Sequence, residues 1–165
     1  MSDRSCMDAR SYLKQVGELH HTITTMQMRL KEQQYALDML RTALGDGMPR
    51  GSSDGKALEN AIVEHEELMS EYTAELLRWS ALREQAYAML DRARRELTDG
   101  SAYWIGTKHI DVLEQHYIQR MQYRDIASAM GYAERTVKDY AAQALDWLDH
   151  AVDSDGYPLV PIVSE

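Results

Sequence analysis

The side chains that most often catalyse reactions or bind metals are sparse and poorly spaced in this chain. The run "EHEEL" at residues 64–68 combines carboxylates with an imidazole, but it lacks the HExxH spacing of a zinc site. His20 and His21 are adjacent and would point about 100° apart on a helix. The single cysteine, Cys6, excludes an internal disulfide and a multi-cysteine metal site. We therefore predict no catalytic residues, no metal site, no cofactor and no enzyme activity.

Side chains suited to binding occur near the C-terminus, in "RDIASAMGYAERTVKDYAAQAL" from Arg124 to Leu145. This pattern is typical of two short helices joined by a glycine turn, which many proteins insert into the major groove of DNA. On the second helix, Arg135 can donate to guanine and Lys138 to guanine or phosphate. The predicted DNA-binding residues are Arg124, Glu134, Arg135, Thr136, Lys138, Tyr140 and Gln143.

The charge of the chain limits how it can bind DNA. The formal net charge is -9, and residues 1–100 carry 13 basic and 17 acidic side chains. Residues 101–150 carry 5 basic and 7 acidic side chains, and residues 151–165 add three acids. Asp146 and Asp149 would repel phosphate at the far end of the second helix. A general cationic surface is therefore excluded, and any DNA contact must depend on a few cations on one face.

Two long helices with heptad spacing precede this region. Polar residues interrupt the spacing at Gln33 in the first helix and at His65 and Arg83 in the second. The glycine-rich stretch 45–55 separates the two helices, and Gly100 is placed to cap the second. The first seam contains Tyr12, Val16, Leu19, Ile23, Met26, Leu30, Gln33, Leu37, Leu40 and Leu44; the second contains Leu58, Ile62, His65, Met69, Tyr72, Leu76, Trp79, Arg83, Ala86, Leu90, Ala93 and Leu97.

The short loop predicts that these helices fold back on each other as an antiparallel hairpin. This register places Gln33 near His65 and Met69, where polar side chains can set the pairing. Alternatively, His65 is a half-buried ring whose tip reaches solvent. A single hairpin leaves part of each apolar stripe exposed to solvent, so we expect self-association, most simply as a dimer. The predicted oligomerisation residues are Val16, Leu19, Ile23, Leu30, Leu37, Met69, Tyr72, Leu76 and Trp79.

Shorter helices follow in residues 101–150, with Thr107 as a possible N-cap and Gly131 in a turn that needs positive φ. The third of them buries Val137, Ala141, Ala144, Leu145 and Leu148. The fold class is therefore all-α: a long, coiled-coil-like antiparallel helical hairpin (1–100), a small trihelical helix-turn-helix domain (101–150) and an extended tail (151–165). In the tail, Tyr157, Leu159, Val160 and Ile162 either dock on a groove or belong to a loose end.

The C-terminal residues resemble sigma-70 region 4-like modules. The resemblance lies in "LEQHYIQRMQYRDIASAMGYAERTVKDYAAQAL", through Tyr117, Ile126-Ala127, Gly131, Thr136-Val137 and Ala144-Leu145. The whole chain is similar to phage and prophage proteins grouped as sigma-factor-like or RinA/ArpU-like transcriptional regulators. This resemblance implies a DNA-binding regulator that can contact RNA polymerase. The family usually has Ser at the N-cap of the recognition helix, where this chain has Ala133, so a capping bond worth about 1 kcal/mol is missing.

The expected partners are double-stranded DNA, a second copy of the chain and, by resemblance, RNA polymerase. No stretch approaches the roughly 18 apolar residues of a membrane span, and no signal peptide is recognisable, so we expect a cytoplasmic protein. Two other functions fit the same pattern. One is a module that docks on RNA polymerase or a host factor without binding DNA. The other is a DNA-packaging protein of the small-terminase type, which would form a ring.

Overall fold

The chain forms α-helices throughout most of its length, and the predicted all-α class is confirmed. A computed structural model describes residues 8–45, 53–98, 104–153 and 155–161. The features predicted at Cys6, at Gly100 and at Ile162 lie outside these residues, as do residues 46–52 of the predicted loop 45–55. The predicted loop is too long, because Gly45 still belongs to the first long helix and residues 53–55 already belong to the second. The helices are α1 (Ala9–Gly45), α2 (Ser53–Thr98), α3 (Thr107–Leu113), which continues into a π-helical segment (Glu114–Ile118), α4 (Tyr123–Met130) and α5 (Glu134–His150).

The contacts divide the chain into two compact units. The core unit comprises residues 1–20 and 82–165, and the hairpin unit comprises residues 21–81. The sequence predicts a domain boundary at residue 100, whereas the contacts group the first turns of α1 and the last turns of α2 with the C-terminal helices. Both long helices therefore contribute to two units.

In the hairpin unit, α1 and α2 lie side by side with the predicted antiparallel register. His65 Nδ1 lies 2.5 Å from Gln33 Oε1, so the expected proximity of these two residues is confirmed. Further along, the guanidinium of Arg29 lies 6.0 Å from the centre of the Tyr72 ring. As the residue number falls on α1 it rises on α2, which defines the antiparallel pairing. Every seam residue predicted in this unit is buried or half-buried.

The core unit buries one apolar cluster to which all five helices contribute. Tyr12, Leu13 and Val16 come from α1, and Met89 and Leu90 come from α2. The predicted inner faces of the last two helices are confirmed by the buried residues Ile126, Ala127, Val137, Ala141, Ala144, Leu145 and Leu148. The small domain therefore shares its core with the ends of the long helices.

Two carboxylates satisfy backbone groups at the start of α1. The N–H of Ala9 donates to Asp149 Oδ1 at 2.8 Å, and the N–H of Ser11 donates to Asp8 Oδ1 at 2.7 Å. Negative charge at this end also interacts favourably with the helix dipole. Hydrogen bonds from Ser11 lower the pKa of Asp8. Asp149 therefore links α5 to α1, a structural use that its charge alone did not suggest.

The described residues of the tail, 151–153 and 155–161, double back in a turn instead of running extended as predicted. Val152 and Pro158 form an isolated antiparallel bridge. Asp153 Oδ1 accepts the N–H groups of Asp155 and Tyr157, each at 2.9 Å, because a short carboxylate can substitute for a backbone acceptor in a turn. The turn brings Leu159 and Val160 into the apolar cluster of the core unit.

We expect Tyr12→Phe to preserve or slightly increase stability at neutral pH and to reduce its loss at alkaline pH. The Tyr12 hydroxyl is buried with no hydrogen-bond partner among the described residues, and burial raises the pKa of Tyr12 to about 12. Removing an unsatisfied hydroxyl without changing shape is nearly neutral or stabilising, by up to about 1 kcal/mol. Because an unfolded tyrosine titrates near 10, the wild type loses stability as the pH rises from about 10 to about 12.

Burial also raises the pKa of Tyr123 to about 12, so the Tyr12→Phe variant should retain part of the alkaline loss. Urea unfolding at pH 8 and pH 11 measures the difference. Tyr157→Phe is the control because Tyr157 is exposed in the same unit. If the wild type and Tyr12→Phe lost equal free energy of unfolding between pH 8 and pH 11, the raised pKa of Tyr12 would not contribute to the alkaline loss, and the prediction would be wrong.

Candidate nucleic-acid interface

A left-handed glycine joins α4 to α5. Gly131 has φ 75°, and the N–H of Tyr132 donates to the carbonyl of Ala127 at 3.0 Å, which ends α4. The predicted positive φ is confirmed, and glycine adopts it without the steric cost that a Cβ imposes. Ala133 is the N-cap of α5 and provides no side-chain hydrogen bond, as the sequence predicts. The turn therefore orients α5 through its backbone.

The two basic residues of greatest interest, Arg135 and Lys138, are exposed on α5. Lys138 Nζ lies 3.3 Å from Glu134 Oε1, one turn earlier on the helix. Arg135 shares the outward face of α5 with Asp139, Ala142 and Asp146, because these positions lie opposite the buried inner face. The outward face therefore has one base near its start and two acids further along.

A cleft of about 360 Å³ lies beside the N-terminal ends of α4 and α5. Its lining contains three predicted DNA-binding residues, Arg124, Glu134 and Lys138, together with His116, Gln122 and Tyr123. Arg124 and Lys138 are the cationic donors that a phosphate in this cleft could meet, whereas the carboxylate of Glu134, which already pairs with Lys138, opposes an anion. The tertiary structure thus brings together Arg124 from α4 and Lys138 from α5.

The orientation of His116 at this cleft is defined by its neighbours. Its ring stacks on Tyr123 with centroids 3.8 Å apart. Its Nδ1 lies 2.9 Å from the carbonyl oxygen of Met121. Because a carbonyl only accepts, Nδ1 must be the donor. Sequence reasoning missed His116, since an isolated histidine before a polar turn is a weak indication of a site.

Tyr140 and Gln143 of α5 both contact His109 of α3. The Tyr140 ring lies 4.1 Å from the His109 ring, and Gln143 Oε1 lies 3.0 Å from His109 Nε2. The N–H of Gly106 donates to His109 Nδ1 at 3.1 Å, so Nε2 carries the proton that Gln143 accepts. Gly106, and not Thr107, is the N-cap of α3. Thr136 is half-buried on the same side of α5.

The segment before α4 has an unusual backbone. α3 widens into the π-helical segment Glu114–Ile118, and Arg120 has φ 63°, which is uncommon for a residue with a Cβ. Gly17 of α1 packs so closely against this segment that a Cβ there would overlap the carbonyl oxygen of Tyr117. A glycine inside a heptad helix is the one indication of this contact in the sequence, and it does not identify the partner.

An arginine from α2 anchors the beginning of the small domain. Arg94 Nε lies 2.9 Å from Asp111 Oδ1, and Arg94 Nη2 lies 3.2 Å from Glu114 Oε1. Arg94 Nη1 also lies 2.8 Å from Asp91 Oδ1 on its own helix. Burial disfavours the charge on Arg94, but Glu114 and Asp111 outweigh it and raise the pKa. α3 and the π-helical segment are therefore tied to α2 by ion pairs.

The predicted oligomerisation residues occupy the seam between α1 and α2 of a single chain. Val16 is buried in the core unit, and Ile23 and Leu37 are buried in the hairpin unit. The rest are half-buried, namely Leu19, Leu30, Met69, Tyr72, Leu76 and Trp79. The buried members are thus inaccessible to a second copy in this conformation, and any self-association must use other surfaces as well.

No family model, curated protein or solved structure matches this chain. Within the described parts of the chain, no helix is long and apolar enough to cross a membrane. The same residues include no cluster of three or more His, Cys, Asp or Glu side chains that could hold a metal ion.

Proposed function

We propose that the protein is a double-stranded DNA-binding transcriptional regulator of the phage or prophage type. In this proposal α5 enters the major groove, and the cleft between α4 and α5 receives a backbone phosphate. The observation that supports it is the pair of helices α4 and α5, which a glycine turn joins and which exposes Arg135 at the start of α5. A cleft lined by Arg124 and Lys138 lies beside this pair. The N-terminal residues of a recognition helix are the ones that contact base edges.

The electrostatics of α5 favour a selective contact and oppose a strong one. Arg135 and Lys138 can each donate to a base or phosphate, whereas Asp139 and Asp146 repel the backbone. A single module therefore binds weakly. Dimerisation through the hairpin unit presents two modules in one particle, and the second contact then benefits from a high effective concentration. The net charge of -9 also suppresses non-specific binding.

We expect the double variant Arg135→Ala/Lys138→Ala to lose specific DNA binding. A good base contact contributes about 1–3 kcal/mol, so the loss of two contacts should raise the dissociation constant roughly 30-fold or more. DNA fragments selected from the source genome with the wild-type protein serve as probes in mobility-shift titrations at two salt concentrations. Circular dichroism checks that helicity is unchanged.

The matched control is Lys56→Ala/Arg78→Ala. It changes the net charge by the same amount but alters exposed residues of the hairpin unit. If both double variants bind as tightly as the wild type, α5 is not the DNA contact and the proposal is wrong.

A second candidate is a module that docks on RNA polymerase or a host factor. The acidic outward face of α5, with Asp139 and Asp146, favours it because a basic protein surface would complement that face. This alternative predicts a stable protein complex and no salt-dependent DNA binding. A packaging protein would instead show a ring of many subunits by native mass.

A further inference from the structure

Three large apolar side chains of α1 are exposed in the hairpin unit, and together they form the outer stripe. Met28 is 59% exposed, Tyr35 is 69% exposed and Met39 is 57% exposed. Seven residues correspond to nearly two full helical turns, so these side chains lie within about 40° of one another. Leu37, two residues after Tyr35, is buried in the seam and points about 200° away. The outer stripe therefore faces away from α2.

Two opposite charges flank the outer stripe in a self-complementary arrangement. Lys31 precedes Tyr35 by four residues and Asp38 follows it by three, so both fall on the same side of the stripe. An antiparallel pairing of two α1 helices about a two-fold axis at Tyr35 places Lys31 opposite Asp38 of the second copy, twice. Asp38 Oδ1 already accepts a hydrogen bond from Gln34 Nε2 at 2.8 Å, and a carboxylate can accept further bonds.

The charge of the two helices selects α1 over α2 for this pairing. Residues 21–45 of α1 carry three basic and two acidic side chains, whereas residues 53–81 of α2 carry two basic and seven acidic side chains. Two copies of α2 placed together would repel each other. An isologous contact requires a surface that complements itself, and the outer stripe with its flanking charges meets this requirement.

We infer that the outer stripe is a homodimer contact in which α1 pairs with α1 of a second copy in antiparallel orientation about Tyr35. The inference rests on the dimer of the proposed function and identifies its surface. Tyr35 meets its own copy at the two-fold axis, and Met28 and Met39 bury the two ends. The half-buried seam between α1 and α2 remains within each chain.

The test compares Tyr35→Lys with Leu77→Lys by sedimentation equilibrium of the full chain. Leu77 is a close match because it is 67% exposed in the same unit, but it lies on α2 beside a groove of about 490 Å³. Tyr35→Lys should raise the dimer dissociation constant about 30-fold or more, because a central aromatic anchor is replaced by two facing ammonium groups. Leu77→Lys should change it less than about threefold, and circular dichroism should show equal helicity for both variants.

A charge swap tests the register. Lys31→Asp alone and Asp38→Lys alone should each weaken the dimer by roughly 3- to 10-fold, since each creates two like-charge pairs. The double variant Lys31→Asp/Asp38→Lys should return close to wild-type affinity, a non-additivity that separate sites do not show. Single effects that simply add in the double variant would overturn the antiparallel register.

The outcomes separate this inference from the proposed function. If Leu77→Lys dissociates the dimer and Tyr35→Lys does not, the dimer stands but forms through the groove that α1 and α2 line beside Leu77, and the inference is wrong. A wild-type chain that stays monomeric at high micromolar concentration removes both the inference and the proposed dimer. DNA binding is decided separately by the Arg135 and Lys138 variant.

Discussion

Gly17→Ala is expected to destabilise the core unit by about 1–3 kcal/mol, although alanine is the better helix former. A Cβ at position 17 would overlap the backbone carbonyl oxygen of Tyr117. A carbonyl in a hydrogen-bonded segment cannot rotate away as a long side chain can, so α1 or the π-helical segment must shift. Extra atoms in a well-packed interior typically cost about that amount. The variant should show a lower urea midpoint with an unchanged m-value.

Gly45→Ala is the matched control, because a Cβ at Gly45 meets nothing within 4 Å and the residue lies in the same helix. Because Gly45 is the last residue of α1, replacing it by alanine should change the free energy of unfolding by less than about 0.5 kcal/mol in either direction. The destabilisation should therefore be confined to Gly17→Ala. A Gly17→Ala variant as stable as Gly45→Ala would show that α1 does not approach the π-helical segment closely.

The Gly17 contact also bears on the proposed DNA site. Tyr117 is followed by the left-handed Arg120 and then by the first residues of α4, so a displaced π-helical segment changes the position of His116 and Arg124. We therefore expect Gly17→Ala to weaken DNA binding as well. Gly45→Ala should bind DNA as tightly as the wild type does.

Arg94→Met is expected to lower the free energy of unfolding by about 1–3 kcal/mol. The Arg94 side chain is 22% exposed and pairs with Asp111, Glu114 and Asp91, so its removal leaves three carboxylates without their cation. Hydrogen bonds to charged groups contribute about 1.5–3 kcal/mol each in buried settings, and partial exposure reduces that figure. Met preserves the apolar stem, so that lost packing contributes little. Urea unfolding at neutral pH measures the change.

Arg41→Met provides the comparison. Arg41 pairs with Glu66 at 2.9 Å, but the two side chains are 52% and 48% exposed. Exposed pairs contribute about 0–1 kcal/mol, and salt screens them. Equal losses for Arg94→Met and Arg41→Met would contradict the role assigned to Arg94 at the start of the small domain. Addition of salt should reduce the Arg41 effect more than the Arg94 effect.

Much of the fold could be predicted because local patterns report which face of a helix needs burial. The heptad seams defined both long helices, and the polar pair Gln33 and His65 defined their register. Gly131 marked the turn before α5, since only a residue without a Cβ adopts that backbone conformation at no cost. The inner face of α5 followed from its period of 3.6 residues. Arg135 and Lys138 could be identified from the sequence because they lie outside that buried face.

Other features depend on surfaces that meet across long sequence separations, and no local pattern reports them. The sequence determined that α1 and α2 are long antiparallel helices and that a glycine turn links α4 to α5. Only the tertiary structure decided that Gly17 packs against Tyr117, that Asp149 caps α1 and that Tyr140 and Gln143 turn toward α3. It also decided that Leu159 and Val160 fold back into the core. Helical periodicity determines which side of a helix is apolar, whereas the partner of that side is set by the packing of the whole chain.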